Sequence, residues 1–101
     1  MSISNAINSA VSALNAYSER EAVTANNIAN EITSGFVPTE ANISENADNG
    51  VKVTLSQPKN SNGVDEAGEM VNLIINKAGF EANLTTIQSA EKMYKAIDKL
   101  V

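Results

Sequence analysis

The 101-residue chain contains no cysteine, no histidine and no tryptophan. Without cysteine there is no disulfide framework, no thiol nucleophile and no thiolate-bound metal. Without histidine the commonest general base and the commonest metal ligand are both gone. Aromatic residues make up 4% of the chain, so the large side chains that anchor most cores are scarce. Basic residues number seven against twelve acidic ones, a formal charge of −5. A phosphate-neutralising surface needs the opposite balance, so nucleic acid is not an expected partner. No apolar run approaches the ~18–20 residues that span a bilayer, and membrane insertion is not expected. Met1-Ser2-Ile3-Ser4-Asn5 lacks the basic patch and apolar core of a secretory signal, so any export is expected to proceed without a cleavable one.

Size sets a further bound. A chain of this length is one domain at most, and folding buries only about 60–65% of its unfolded surface. Much of its 43% hydrophobic content is alanine, which lets helices pack closely but contributes little buried area per residue. A self-sufficient globule is not the expected form.

What is present divides into three parts: residues 1–35, 36–64 and 65–101. In the first, Ile3, Ile7, Ala10, Leu14 and Tyr17 fall at steps of four and three, the spacing of one helix face. The apolar positions then resume one step out of phase at Ala22, Ala25, Ala29 and Ile32, which reads as a stutter in a heptad seam. Ser2 or Ser4 suits the N-cap, and Gly35 suits the left-handed residue that ends the helix. Such a helix is about 45 Å long, too long for the middle of a compact domain.

The middle part is turn chemistry: Pro38, Asn49-Gly50, Pro58 and Lys59-Asn60-Ser61-Asn62-Gly63. Between these, Val51, Val53 and Leu55 alternate with Lys52, Thr54 and Ser56, the period of a strand. A second strand over Phe36–Ile43 would close a hairpin at Asn49-Gly50. Two strands alone are marginal in water, so the segment is either a hairpin that needs a neighbour or a flexible loop.

The third part is helical again. Met70, Leu73, Ile74, Phe80, Leu84, Ile87, Met93, Tyr94, Ile97 and Leu100 recur at threes and fours. Asp65, Glu66 and Glu69 crowd its start and Lys92, Lys95 and Lys99 its end, which complements the helix dipole. Gly68 and Gly79 are weak points of about 1 kcal/mol each relative to Ala. The expected fold is therefore mainly α: two long terminal helices paired as an antiparallel coiled-coil hairpin, with a short β-hairpin or loop between them. The acidic cluster is the only arrangement resembling acid–base machinery, and helix-start capping accounts for it. No enzyme activity, cofactor or metal is expected.

The terminal segments resemble a known family. Residues 25–36 read Ala-Asn-Asn-Ile-Ala-Asn-Glu-Ile-Thr-Ser-Gly-Phe, similar to the N-terminal signature of bacterial flagellar axial (rod and hook) proteins, Ala-x-Asn-Ile-Ala-Asn-x-x-Thr-x-Gly-Phe. Residues 64–74, Val-Asp-Glu-Ala-Gly-Glu-Met-Val-Asn-Leu-Ile, resemble the family's second signature. Phe80-Glu81-Ala82-Asn83 stands where the family has an aromatic-x-Ala-Asn element. The middle segment is shorter than the β-rich insert of most relatives, which makes the chain most similar to the short proximal-rod type.

The resemblance implies a structural subunit of the flagellar basal-body rod that polymerises through its terminal helices into the axial, torque-transmitting tube. It implies other rod and hook axial subunits and copies of itself as partners. It also implies passage through the flagellar type III export machinery and a place in the periplasmic rod. The residues it marks for assembly are Asn27, Ile28, Asn30, Gly35 and Phe36 in the first signature, and Met70, Leu73, Phe80, Asn83, Leu84 and Ile97 beyond it. Asn27 and Asn30 would either hydrogen-bond across a subunit contact, since a neutral amide both donates and accepts, or fix the bend leaving the helix. Apolar surface left on Phe80, Leu84, Met93 or Tyr94 would be an assembly surface. Two other classes fit a chain of this size: a small secreted helical-hairpin adaptor or effector, and a cytosolic coiled-coil regulator. The first commonly has a Trp-x-Gly turn, and this chain has no Trp.

Overall fold

A computed structural model describes residues 2–59 and 63–100. Residues 60–62 of the expected turn, together with Met1 and Val101, lie outside the described residues. Helix α1 runs Ile3–Ala29, strand β1 Glu40–Glu45, strand β2 Val51–Ser56 and helix α2 Glu66–Leu100. The two helices pack antiparallel, with a two-stranded antiparallel hairpin between them in sequence. The molecule measures 62 × 25 × 14 Å with a radius of gyration of 17.3 Å, against about 13 Å for a compact chain of 100 residues.

Each helix has a side-chain cap. Ser2 accepts the N–H of Asn5 at 3.1 Å at the start of α1. Asp65 accepts the N–H of Gly68 at 3.1 Å at the start of α2, satisfying one of the donors that every helix start leaves over. The first helix stops three residues short of Ile32. Asn30 turns its amide back onto the Asn26 carbonyl at 2.9 Å, a local bond that competes with the helical ladder. The backbone then unwinds through three successive turns, ending with Phe36 N–H on Thr33 C=O. Gly35 sits in the last of these at φ +76, so its left-handed conformation aims the exit segment rather than capping the helix. Ile32 is left 92% exposed.

The buried face of α1 does not shift phase. Ile3, Ile7, Ala10, Leu14, Tyr17, Glu21, Thr24 and Ile28 are all buried or half-buried, an unbroken 4-3-4-3 seam. Ala22, Ala25 and Ala29 are exposed. There is no stutter: after Tyr17 the seam continues with polar residues, and the alanines that suggested a shift lie outside it. On α2 the matching edge is Glu69, Asn72, Asn76, Gly79, Asn83, Ile87 and Ala90. Among the described residues only Ala10, Ala16 and Ala90 are buried hydrophobics, while Thr24, Asn27 and Asn76 are buried polar ones. The α2 side of the seam is therefore mostly polar or small, set against Ile3, Ile7, Leu14, Tyr17 and Ile28 of α1, and most of the large apolar side chains of α2 are exposed.

The β-hairpin finds its neighbour in α1. Its register pairs Glu40 with Ser56 and Glu45 with Val51, so β1 begins four residues after Phe36. Asn49 (φ +72) and Gly50 (φ +88) close the turn, the consecutive left-handed pair for which Asn-Gly is suited. A Cβ at Gly50 would run into the Ser12 hydroxyl, and that same oxygen accepts the Val51 N–H at 3.0 Å. The other end of the hairpin is held at Asn27. From Ser12 to Asn27 is about 22 Å of helix, close to the ~20 Å of a six-residue strand. The hairpin thus lies along α1, tied at both ends.

Gly79 acquires a reason. A Cβ there would run into the ring of Tyr17 on the facing helix. The glycine lets an aromatic lie flat across a narrow interhelical gap. Gly79→Ala should gain about 1 kcal/mol of helix propensity but lose about 1–3 kcal/mol to overpacking, and so lower the thermal midpoint followed by circular dichroism. In a Tyr17→Ala background the same change should raise the midpoint. A Gly79→Ala effect of the same sign in both backgrounds would mean that the ring does not set the spacing.

Candidate assembly interface

The Asn-Asn-Ile-Ala-Asn segment occupies the last turn of α1, where helix, hairpin and α2 meet. Asn27 is 2% exposed and its amide is fully engaged. Nδ2 donates to the Thr39 carbonyl at 2.8 Å and to Glu69 Oε2 at 2.9 Å, while Oδ1 accepts the Thr39 N–H at 3.0 Å. One side chain therefore grips the backbone entering β1 and a carboxylate from the first turns of α2. Glu69 is held from its own helix as well, by Asn72 Nδ2 at 3.3 Å. Asn30 serves the local bend: its Nδ2 donates to Asn26 and its Oδ1 accepts the Thr33 hydroxyl at 3.2 Å. The bonding partners of both asparagines lie within the chain, at the bend and the three-way junction.

Two turns further along, a second polar crossing joins the helices. Arg20 Nε donates to Asn76 Oδ1 at 2.5 Å, and its guanidinium lies 5.3 Å from the centroid of the Tyr17 ring, a cation–π contact. Asn76 is 1% exposed, yet its Nδ2 has no partner, and neither has the buried Oε1 of Glu21. Both residues line an open groove walled by Tyr17, Leu73 and Phe80. At the far end of the molecule, the Ser4 and Tyr94 hydroxyls hydrogen-bond at 2.5 Å, closing the antiparallel register.

The fold gathers the first signature at the loop end and spreads the other marked residues along α2, starting at Met70 beside the Glu69 that Asn27 bonds. Asn27, Ile28, Asn30, Gly35 and Phe36 gather at the loop end, with Gly35 exposed and Ile28 and Phe36 half-buried. Asn83 donates back to the Gly79 carbonyl at 2.7 Å within α2, and Leu73 is half-buried. Met70, Phe80, Leu84 and Ile97 are exposed, and with them Val71, Ile74, Ile75, Met93 and Leu100. Sequence reasoning did not single out Ser12, Arg20, Thr24, Thr39 or Asn76. The signal for Asn76 was present in the spacing of Glu69, Asn72, Asn76 and Asn83, a seam pattern carried by polar residues. Among the described residues no group of acidic side chains is arranged to hold a metal ion, and no helix is long and apolar enough to cross a membrane.

The junction makes a definite prediction. Asn27→Ala leaves both backbone groups of Thr39 and the Glu69 carboxylate without their amide, and stranding a buried partner costs about 1–3 kcal/mol. The urea midpoint should fall accordingly. Asn27→Asp keeps the shape but sets a second carboxylate beside Glu69, which raises the folded-state pKa of the pair. Its loss of stability should be greatest at neutral pH and should ease as the pH drops into the carboxylate range. A pH-independent loss would remove Glu69 from the junction.

Comparison with known families accords with this geometry. Residues 7–36, which contain the junction asparagines and the exit turn, match the family described as flagella basal body rod protein. Residues 60–100, which contain all of α2, match the family described as flagellar basal body rod FlgEFG protein C-terminal. No curated protein matches the chain. With the two matches in order on the two paired helices, and only the hairpin segment between them unmatched, the chain belongs to the flagellar basal-body rod protein family and is a structural protein of the flagellum.

Proposed function

We propose that this protein is an axial subunit that polymerises with related rod and hook subunits, and with copies of itself, into the torque-transmitting tube of the flagellar rod. The observation that carries the reading is the outward-facing apolar surface of α2. The chain exposes 7011 Å², where a compact chain of 10.6 kDa would expose about 5,500 Å². The difference, about 1,500 Å², is on the scale of a specific protein interface. Side chains of this kind are hidden when helices of neighbouring subunits pack side by side, and the polar inner seam keeps each subunit's own two helices in register meanwhile.

Passage through the type III export machinery to the periplasmic rod fits the same features. A subunit threaded through a narrow channel must unfold first. A core whose fully buried hydrophobics, among the described residues, are three alanines resists unfolding weakly, and the chain has no cysteine to lock it. Order is then completed by partners, as in segments that fold on association. The role is mechanical and needs no catalysis.

In a flagellated host depending on this gene, quantitative mass spectrometry of purified basal bodies should find several copies per particle. Leu84→Asp combined with Ile97→Asp should abolish incorporation while leaving expression and export intact. Normal swimming by that double variant, or absence of the wild-type chain from basal bodies, would overturn the reading.

A further inference from the structure

The outer face of α2 has an internal order that generic stickiness does not require. Met70, Ile74, Lys77, Glu81, Leu84 and Gln88 follow one another at steps of four and three, a second heptad seam. All six are exposed, Ile74 at 70%. At about 100° per residue they lie on a different flank of the helix from Asn76, Asn83 and Ala90, which face α1, with Lys77 and Glu81 at the rim of the groove beside Tyr17. The seam is also symmetric about position 79. Reversed on itself, it sets Met70 against Gln88, Ile74 against Leu84 and Lys77 against Glu81. Two apolar pairs then flank two opposite-charge pairs. A parallel match of the same face would put Lys77 on Lys77 and Glu81 on Glu81, and facing like charges are destabilising.

We propose that this face pairs with the same face of a second copy, giving an antiparallel dimer across a twofold axis near residue 79. The contact is isologous, so it uses up both faces and stops at two. A growing axial tube needs contacts that propagate in one direction, so the dimer is a resting state of the free subunit. It covers Ile74 and Leu84 until assembly replaces the partner. Its role as a resting state rests on the rod reading; the contact itself does not. Exposed charge pairs are weak and screened by salt, which keeps the dimer reversible.

Charge exchange tests the pairing. Lys77→Glu alone presents only carboxylates at the centre of the seam, and Glu81→Lys alone presents only ammonium groups. Each purified full-length variant should dimerise at least tenfold more weakly than wild type in sedimentation equilibrium. An equimolar mixture of the two should recover wild-type dimerisation, because each then meets opposite charges; recovery also demonstrates that both variants are folded. Met70→Cys and Gln88→Cys, in a chain with no other thiol, should form a mixed disulfide several-fold faster than either forms with itself. A wild-type chain that stays monomeric, a mixture that recovers nothing, or cross-linking of Met70→Cys to itself at the mixed rate would each overturn the dimer. If the dimer forms but the chain is absent from basal bodies, only the rod reading falls. If the chain is in basal bodies but never pairs in solution, only the dimer falls.

Discussion

The amide of Asn27 is the constraint on which the loop end of the molecule depends. A primary amide carries two N–H donors and a separate acceptor oxygen, so it can donate twice and accept at once, which a hydroxyl cannot. Here it does both against the backbone of Thr39 while reaching Glu69 on the second helix. No apolar residue could substitute, because Thr39 would keep a half-buried N–H and C=O with nothing to satisfy them. Nor could a carboxylate, which lacks the donor that Glu69 requires. The hairpin lies along α1 because its entry is fixed here and its turn is fixed by Ser12. The register of the helices follows from the same node together with Arg20–Asn76 and Ser4–Tyr94.

This arrangement inverts the usual division of labour in a helical hairpin. Strength normally comes from large apolar residues in the seam and specificity from an occasional polar one. Here α1 supplies most of the large apolar residues of the seam, α2 answers mostly with polar or small ones, and most of the large side chains of α2 are outside. A polar seam selects one register, since any slip strands several hydrogen-bonding groups, but it contributes little net stability per bond. The subunit is therefore well specified and weakly held. Gly79 belongs to the same logic: it sacrifices helix propensity so that Tyr17 can lie in a gap too narrow for a larger residue opposite.

The sequence disclosed the long elements and the ends of the chain better than the packing between them. Two helices, an Asn-Gly turn, the Asp65 cap and the paired signatures were all legible, because each rests on local chemistry or periodicity. The end of α1 was not, because Asn30 and Asn26 divert backbone partners in a way that a hydrophobic pattern through Ile32 conceals. The seam was misread beyond Tyr17 for a related reason. Periodicity arguments follow apolar residues, and Ala22, Ala25 and Ala29 formed a plausible stripe while the true one passed through Glu21 and Thr24. On α2 the apolar stripe was real but only partly meets α1: Leu73 and Ile87 are half-buried while Met70, Ile74, Met93 and Leu100 are exposed, since hydrophobicity alone does not say whether a face meets its own chain or another. Among the marked residues, Met70, Phe80, Leu84 and Ile97 are exposed, whereas Asn27 and Asn30 turn inward to the junction.

These properties tie the order of the subunit to its company. Anything that binds the folded chain and not the unfolded one stabilises it by RT ln(1 + [L]/Kd). For a protein with a large core this is an addition to an ample margin. For one whose fully buried hydrophobic residues, among those described, are three alanines, it is a main source of order. The outer face of α2 is thus where stability is supplied, and the polar seam is where the shape receiving it is specified. Separating the two tasks lets neighbours be exchanged without repacking an interior, because the side chains that change partners are not those that hold the helices in register. A substitution such as Leu84→Asp acts on the first task and Asn27→Ala on the second, and Leu84 is about 22 Å along α2 from Glu69, the partner of Asn27, far enough for their effects to be read independently.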